Sequence, residues 1–272
     1  MPVYTRKFLR QQLGRIYLHD TLVSTTTGSC GSDVYAYVID SRRADLSMSS
    51  GESGPYDRAY LRVNGMDLRV ASFNCGSGAY VTQQQQGTIV PNGAEYEVSE
   101  LLSPADKDLA LSQTAQRLTA RAERPIAAVD GAKRYAIPDD VRQVLDAYYL
   151  ADPTNSLSQM RGRLAWWGLA TTGSGREIRI EPAIPAGHQL ILDAVTTCTL
   201  GSSDDDTIEI PAEEWLLYGA EAACWNLLAK FGPGQETTRY QQNAVRANAA
   251  FGRRSSLHAP QIDSKNTLEW PI

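Results

Sequence analysis

The chain has 272 residues, of which 42% are hydrophobic and 21% are charged, a composition typical of globular proteins and too apolar for a disordered chain. Its formal net charge of −5 argues against a general nucleic-acid-binding role. The sequence lacks a run of about 18 uncharged apolar residues, which excludes a membrane-spanning helix, and its first residues lack the apolar stretch of a signal peptide.

The N-terminal residues 1–20 are predicted to form a short helix or docking arm. Phe8, Leu9, Leu13 and Ile16 recur at helical spacing, with Arg and Gln residues on the opposite face.

Residues 21–100 are predicted to form a small antiparallel β-module, a barrel or a sandwich. Short runs rich in Val, Tyr and Thr alternate there with clusters of Gly, Ser and Asn. The predicted strands are 34–40, 59–65, 66–73, 79–90 and 94–98. Asn64-Gly65 indicates a tight hairpin turn, because both residues tolerate a positive φ.

A linking helix is predicted to begin at Ser103-Pro104. Ser103 is suited to the N-cap, and Pro104 lacks only a hydrogen-bond donor that the first helical turn does not use. We expect this helix to continue past Leu118 and to end near Arg121, Arg124 and Pro125.

A second antiparallel β-module is predicted to follow. From Tyr135 onward the predicted strands are 141–150, 163–172, 176–182 and 188–200. In 176–182 the apolar residues Ile178 and Ile180 alternate with charged ones, as in a half-buried strand.

The clearest helix, residues 212–231, is apolar almost all round and is therefore expected to be buried on most faces. The residues predicted to pack it, within the chain or in a ring, are Trp215, Tyr218, Gly219, Ala222 and Trp225. Residues 236–251 are predicted to complete a helical hairpin. The residues expected to face its interior are Tyr240, Ala244, Val245, Ala247 and Phe251.

The predicted fold class is therefore α+β: a β-module, a linking helix, a second β-module and an α-helical hairpin with an extended C-terminal arm. The predicted divisions are 1–20, 21–100, a core of 101–252, and an arm of 253–272. Trp270 near the end of this polar arm is typical of an interface anchor, since Trp is enriched at binding hot spots.

The chemistry-bearing residues do not form a catalytic pattern, so the sequence predicts a protein that is not an enzyme and has no cofactor and no metal. His19, His188 and His258 are scattered over three segments. The acidic run 202–206 lacks the ligand spacing of a calcium loop and is expected to be a solvated hairpin tip. The four cysteines, Cys30, Cys75, Cys198 and Cys224, are expected to be reduced and mostly buried.

The sequence resembles head–tail connector or adaptor proteins of tailed bacteriophages. The similarity lies in the strand–turn rhythm of 57–98, the Ser-Pro helix segment of 99–118, and YAIPDDVRQVLDAYY at 135–149. Its most specific part is 207–228, where a strand and a proline precede a helix that begins EEW and is rich in alanine. The first β-module departs from the simplest connectors, which are helical bundles, and would be an elaboration.

The resemblance implies a structural protein of the virion, synthesised in the host bacterial cytoplasm and placed at the head–tail junction. Such proteins form homo-oligomeric rings, dodecamers in this family, that bind the portal protein and tail components such as nozzle, tube or hub proteins. DNA passes through the ring without specific binding, and no membrane is involved. The residues expected to dock on the portal are Arg253, Arg254, Leu268, Trp270 and Ile272.

Two alternatives remain open from the sequence. One is another virion component, such as a tail-completion, tail-tube or minor capsid protein. The other is a glycan-binding or glycan-hydrolysing module, for which Glu181 or Asp193 beside Trp166-Trp167 are the candidate residues.

Overall fold

The computed structural model places the chain in the α+β class. It describes residues 3–28, 37–44, 56–83, 90–129, 131–150, 161–173, 175–185, 187–210, 212–232 and 234–258. These residues divide into two compact units, one built from residues 1–115 and 199–258 and the other from residues 116–198. The linking helix and the hairpin therefore share a unit with the first β-module.

The first unit contains a six-stranded antiparallel sheet with the order β2-β7-β4-β5-β6-β3. Its strands are β2 Thr21–Thr25, β3 Tyr37–Ile39, β4 Tyr60–Val63, β5 Met66–Asn74, β6 Ala79–Thr82 and β7 Glu95–Ser99. The predicted turn between β4 and β5 is confirmed, with φ of 50° at Asn64 and 75° at Gly65. The sheet encloses a core that includes Leu61, Val70, Tyr80 and Val98.

The helices of the first unit are α1 Arg6–Gln12, α2 Pro104–Ala115, α3 Glu213–Phe231 and α4 Thr237–His258. A π-helical segment, Leu13–Leu18, continues α1, and a short strand, β1 Val3–Thr5, pairs antiparallel with β15 Thr207–Glu209. The predicted cap of α2 is confirmed: the Asp106 N–H donates to Ser103 Oγ at 3.0 Å, and the Ser103 N–H donates back to the Asp106 carboxylate at 3.3 Å.

The second unit consists of two antiparallel sheets that share one apolar core. One sheet has the order β11-β10-β14-β8 and the other β12-β13-β9. The strands are β8 Thr119–Ala127, β9 Arg134–Ala136, β10 Val141–Leu150, β11 Arg161–Arg163, β12 Trp166–Thr172, β13 Gly175–Glu181 and β14 Gln189–Thr197. Leu190 and Leu192 of one sheet and Ile178 and Ile180 of the other are buried together, which defines a sandwich.

The predicted end of the linking helix was wrong. The helix stops at Ala115, and Thr119–Ala127 forms β8 with alternating inward and outward side chains. Pro125 is accommodated because β8 is an edge strand, and on its outer side a proline does not remove a hydrogen bond of the sheet.

Candidate functional site

The predicted packing residues of α3 lie in the helical layer of the first unit, where Tyr218 is partly buried and the other four are buried. Trp215 and Trp225 are buried, with exposed fractions of 3% and 6%. Trp215 Nε1 donates to Ser255 Oγ at 3.1 Å, and the Trp225 ring stacks on Tyr240 with centroids 6.1 Å apart. Each tryptophan therefore connects α3 to α4 within one chain.

Gly219 and Ala222 allow neighbouring helices to approach α3 closely. A Cβ at Gly219 would collide with the Thr114 methyl group of α2 and would lie 2.8 Å from the Phe251 ring of α4. Ala222 is buried, and the Tyr218 ring makes an edge contact with Tyr17 at 5.2 Å. Because most of these groups are covered by the chain's own helices, a contact between subunits would have to use other side chains.

The two predicted docking arginines do not begin an extended arm, because α4 continues to His258 and both lie in its last turns. The helix continues because residues 237–258 contain good helix formers and no proline. Arg254 pairs with Glu214 of α3 at 3.2 Å, while Arg253 is exposed. The other predicted docking residues, Leu268, Trp270 and Ile272, lie outside the described residues.

One prediction for the hairpin interior was wrong. Tyr240, Ala244 and Ala247 are buried as expected, but Val245 is 70% exposed. At 100° per residue Val245 lies more than a quarter-turn from the line of these three residues, so the α3-facing side of α4 cannot include it.

A buried cluster of charged side chains, centred on Arg10 of α1, is the main feature that sequence reasoning missed. Arg10 is 1% exposed. Its Nε donates to Glu97 of β7 at 3.0 Å, and its Nη1 donates to Asp108 of α2 at 3.0 Å and to Asp204 at 2.7 Å. Arg62 of β4 contacts two of the same carboxylates, 3.0 Å from Asp108 and 3.2 Å from Asp204. We name Arg10, Arg62, Glu97, Asp108 and Asp204 the Arg10 network.

The electrostatics of the Arg10 network follow from its burial. Burial disfavours a charged guanidinium, but the surrounding carboxylates outweigh it and raise the pKa of Arg10. Burial raises the pKa of Glu97 despite the neighbouring Arg10. Burial also tends to raise the pKa of Asp204, but hydrogen bonds from Arg10 outweigh burial and lower this pKa. The network thus fixes α1, α2, the sheet and the loop before β15 to one another.

The acidic loop 202–206 is exposed at Ser202, Ser203 and Asp205, as expected, but it is not a hairpin tip, because β14 and β15 do not pair. The backbone carbonyls of Asp206 and Asp204 accept from the N–H groups of Arg6 and Lys7, at 2.8 and 3.1 Å. These are first-turn N–H groups, which have no partner inside a helix. The loop therefore completes the start of α1 while its Asp204 carboxylate enters the Arg10 network.

A second buried ion pair joins α2 to the sheet. Lys107 Nζ is fully buried and donates to Asp20 Oδ1 at 2.8 Å and to Ser99 Oγ at 2.8 Å, as well as to Thr21 Oγ1. Gly14 of the π-helical segment lies against this pair, since a Cβ there would collide with Thr21. The ammonium group has its three donors satisfied, which is the condition for tolerating a buried lysine.

Asp40 connects the two edge strands of the six-stranded sheet. Its buried carboxylate accepts from Ser24 Oγ at 2.7 Å, Tyr96 Oη at 2.8 Å and Arg42 Nε at 2.7 Å. Burial opposes the charged form, but these hydrogen bonds dominate and lower the pKa of Asp40 to about 2. The Thr27 N–H also donates to the Ile39 carbonyl at 2.8 Å, so the sheet curls until β2 and β3 meet, in agreement with a barrel-like module.

A groove of about 420 Å³, lined by both apolar and charged side chains, lies on the surface of the first unit. Leu101, Leu227 and Phe231 line it, together with Tyr60, whose ring lies 3.9 Å beneath the Arg69 guanidinium. The Phe231 side chain is 70% exposed at the edge of this groove. Large apolar side chains at this level of exposure in a concave surface are typical of interaction sites.

Of the two candidate carboxylates for glycan chemistry, Glu181 lies beside Trp166 as predicted, but Asp193 does not. Glu181 pairs with Trp166 across β12 and β13 and forms an ion pair with Lys133. Asp193 lies on β14 of the other sheet and forms an ion pair with Arg121. Each carboxylate thus has its own cation, and the two belong to different sheets of the sandwich.

Other expectations concern metals, membranes and cysteines. Within the described ranges, His, Cys, Asp and Glu side chains form no group of three that could hold a metal ion. No helix in that part of the chain has the length and apolar character to cross a membrane. Cys75, Cys198 and Cys224 are buried free thiols, as predicted, and burial raises the pKa of Cys198 to about 11 and that of Cys224 to about 12. Cys30 lies outside the described residues.

No protein-family model matches this sequence, and no curated protein matches it either. The class of protein is therefore defined by the fold alone: an α+β protein with two β-modules and a helical layer of three packed helices, α2 to α4, in the described part of the chain.

Proposed function

We propose that this chain is a structural subunit of a tailed-phage virion, a head–tail adaptor that assembles as a ring between the portal and the tail. Support comes from the sequence resemblance together with an α+β organisation in the predicted order of elements. In this proposal the protein acts by binding rather than by catalysis, and DNA passes through the ring without being read.

The observation that carries an assembly role is the exposed Phe231 in the groove at the C-terminal end of α3. Phe231 is 70% exposed there, beside Leu101 and Leu227. Burying an exposed aromatic side chain on association contributes about 1.5 to 3 kcal/mol, which favours a permanent contact over exposure to water. We assign this groove to the contact with a neighbouring ring subunit and the C-terminal residues 259–272 to the contact with the portal.

The test is size-exclusion chromatography with light scattering, run on the chain alone and after mixing with its cognate portal ring. We expect a high-mass stoichiometric complex with the portal. A chain that lacks residues 259–272 should lose the complex. Phe231→Ser should weaken it, whereas Val129→Ser, which removes an apolar side chain of similar exposure (63%) from the other unit, should not.

The absence of any complex with the portal, with the C-terminal residues present, would contradict the adaptor proposal. A complex with a tail-tube or tail-completion protein instead would favour the alternative virion role. Glycan hydrolysis that is lost on Glu181→Gln would favour the enzyme alternative, although the ion pair of Glu181 with Lys133 does not support it.

A further inference from the structure

The outer face of α4 differs from the rest of the chain in charge. Between Thr237 and His258 the sequence contains four arginines and no acidic residue, in a chain whose formal net charge is −5. Three of the arginines, Arg239, Arg246 and Arg253, recur every seven residues, and all three are exposed. We name them the arginine row. Arg239 also forms an exposed ion pair with Glu236, just before α4, at 3.3 Å. Seven residues of helix rise roughly 10 Å, so the arginine row presents cations roughly 10 Å apart along one face of α4.

A neutral lane runs beside the arginine row. It consists of Thr238, Gln242, Val245, Ala249 and Gly252, all exposed. These residues alternate at spacings of four and three, the repeat of a helix–helix seam, and the arginine row takes the flanking position of each repeat. The side opposite to this lane, with Tyr240, Ala244 and Ala247, is the one that packs inside the unit.

Two features of the lane fit an acidic protein helix better than a nucleic acid as the binding partner. Val245 is 70% exposed at its centre, and an apolar side chain contributes little to binding a phosphate backbone. Ala249 and Gly252 are small, so that a second helix can approach α4 closely. The flanking arginines then select the charge of the partner, because charged residues beside a helical seam determine which helix is accepted.

We propose that the outer face of α4 binds a helix of a partner protein that carries acidic residues at seven-residue spacing beside a seam of small apolar residues. A second copy of α4 is not this partner, because residues 237–258 contain no acidic residue to pair with the arginine row. The partner need not be a portal protein, since only the chemistry of its helix is specified.

The test uses the full chain and two synthetic helical peptides of about three heptads. One has an Ala/Leu seam flanked by Glu, and the other has Gln in place of each Glu. Fluorescence anisotropy should show binding of the Glu peptide and at least roughly tenfold weaker binding of the Gln peptide, since three surface ion pairs together give about that factor. Raising the salt concentration should reduce the difference, because exposed ion pairs are screened.

Variants of the chain separate the two parts of the surface. The triple variant Arg239→Gln, Arg246→Gln, Arg253→Gln should lose roughly tenfold in affinity for the Glu peptide. Val245→Gln should weaken binding of both peptides several-fold by removing the apolar contact. Arg117→Gln, at an exposed arginine of the other unit, is the matched control and should change nothing. Helicity measured by circular dichroism shows whether α4 is retained, as expected for Gln at exposed positions.

Equal affinity for the Glu and Gln peptides, or no binding of either, would overturn the proposal. A double-stranded DNA of about 20 base pairs is the competing probe. Binding of this DNA that depends on the arginine row and ignores Val245→Gln would make the face a nucleic-acid surface instead. Formation of the portal complex is measured separately by mass, so either hypothesis can fail while the other stands.

Discussion

Replacing Lys107 by Met should be among the most destabilising single changes in the first unit. The Lys107 ammonium and the Asp20 carboxylate are 2.8 Å apart, and their side chains are 0% and 1% exposed. Met has a similar length but no charge, so the variant would leave the buried Asp20 carboxylate without its cation. Breaking a buried pair in this way costs about 3 to 5 kcal/mol of unfolding free energy.

The Asp20→Asn, Lys107→Met double variant distinguishes this mechanism from a packing effect. If the cost arises from the isolated carboxylate, replacing it by a neutral amide should recover part of the loss. We expect the double variant to be about 2 kcal/mol more stable than the sum of the single effects predicts. Lys7→Met is the matched control. Its ion pair with Glu95 spans 3.0 Å but is 40% and 42% exposed, so its loss should cost less than about 1 kcal/mol.

The measurement is urea-dependent hydrogen exchange of the α3 amides, because α3 belongs to the same unit as Lys107 and its exchange reports the opening of that unit alone. A loss below about 1 kcal/mol for Lys107→Met, or additive effects within about 0.5 kcal/mol, would refute the reasoning.

Three further changes test other contacts of the first unit. Asp40→Asn should cost about 2 kcal/mol of unfolding free energy at neutral pH, because folding lowers the pKa of Asp40 from about 3.9 to about 2. The wild type should lose this stability as the pH drops through that interval. Urea unfolding at pH 7 and pH 2 would then show the stabilities of the two proteins converging at the lower pH. Arg10→Met should cost about 3 kcal/mol or more by leaving the carboxylates of the Arg10 network to repel each other, and unchanged exchange of the α1 amides would contradict this. Gly219→Val should force α2 and α4 away from α3 and lower the melting temperature by several degrees. Ala249→Val, on the exposed face of α4, should leave the melting temperature within about a degree of the wild-type value. Equal shifts for the two variants would contradict the packing argument.

The elements that could be predicted from the sequence are those with a strong local signal. The β4–β5 turn follows from Asn64-Gly65, and the start of α2 follows from Ser103-Pro104, because each depends on residues adjacent in the chain. The predicted α3 was confirmed almost to the residue, since its apolar residues surround the helix axis and Gly232 follows it.

Errors occurred where an outcome depends on distant partners. Leu118 continued the apolar spacing of α2, but hydrogen bonds from the neighbouring strand β14 make 119–127 a strand. Arg10, Lys107 and Asp204 appeared as ordinary surface charges, because hydrophobic periodicity assigns every charged residue to the outside. One local signal was available for Lys107: it lies four and eight residues before the apolar residues Leu111 and Ala115, which places all three on one helical face.

The buried charges account for how a weakly amphipathic helix is held at one position. The inward face of α2 includes Lys107 and Asp108 in place of large apolar residues, so burial of apolar surface alone does not specify its register. Lys107 meets Asp20 and Asp108 meets Arg10, and a shift of α2 by one turn would separate both pairs inside a low-dielectric interior. Replacing such pairs by apolar residues is often neutral or stabilising, so we infer that their contribution here is the exclusion of other registers rather than net stability. On this reasoning, substituting Asp20 and Lys107 together by Leu and Met should retain folding but broaden the α2 resonances in NMR spectra, and sharp wild-type-like resonances would argue against a role in register.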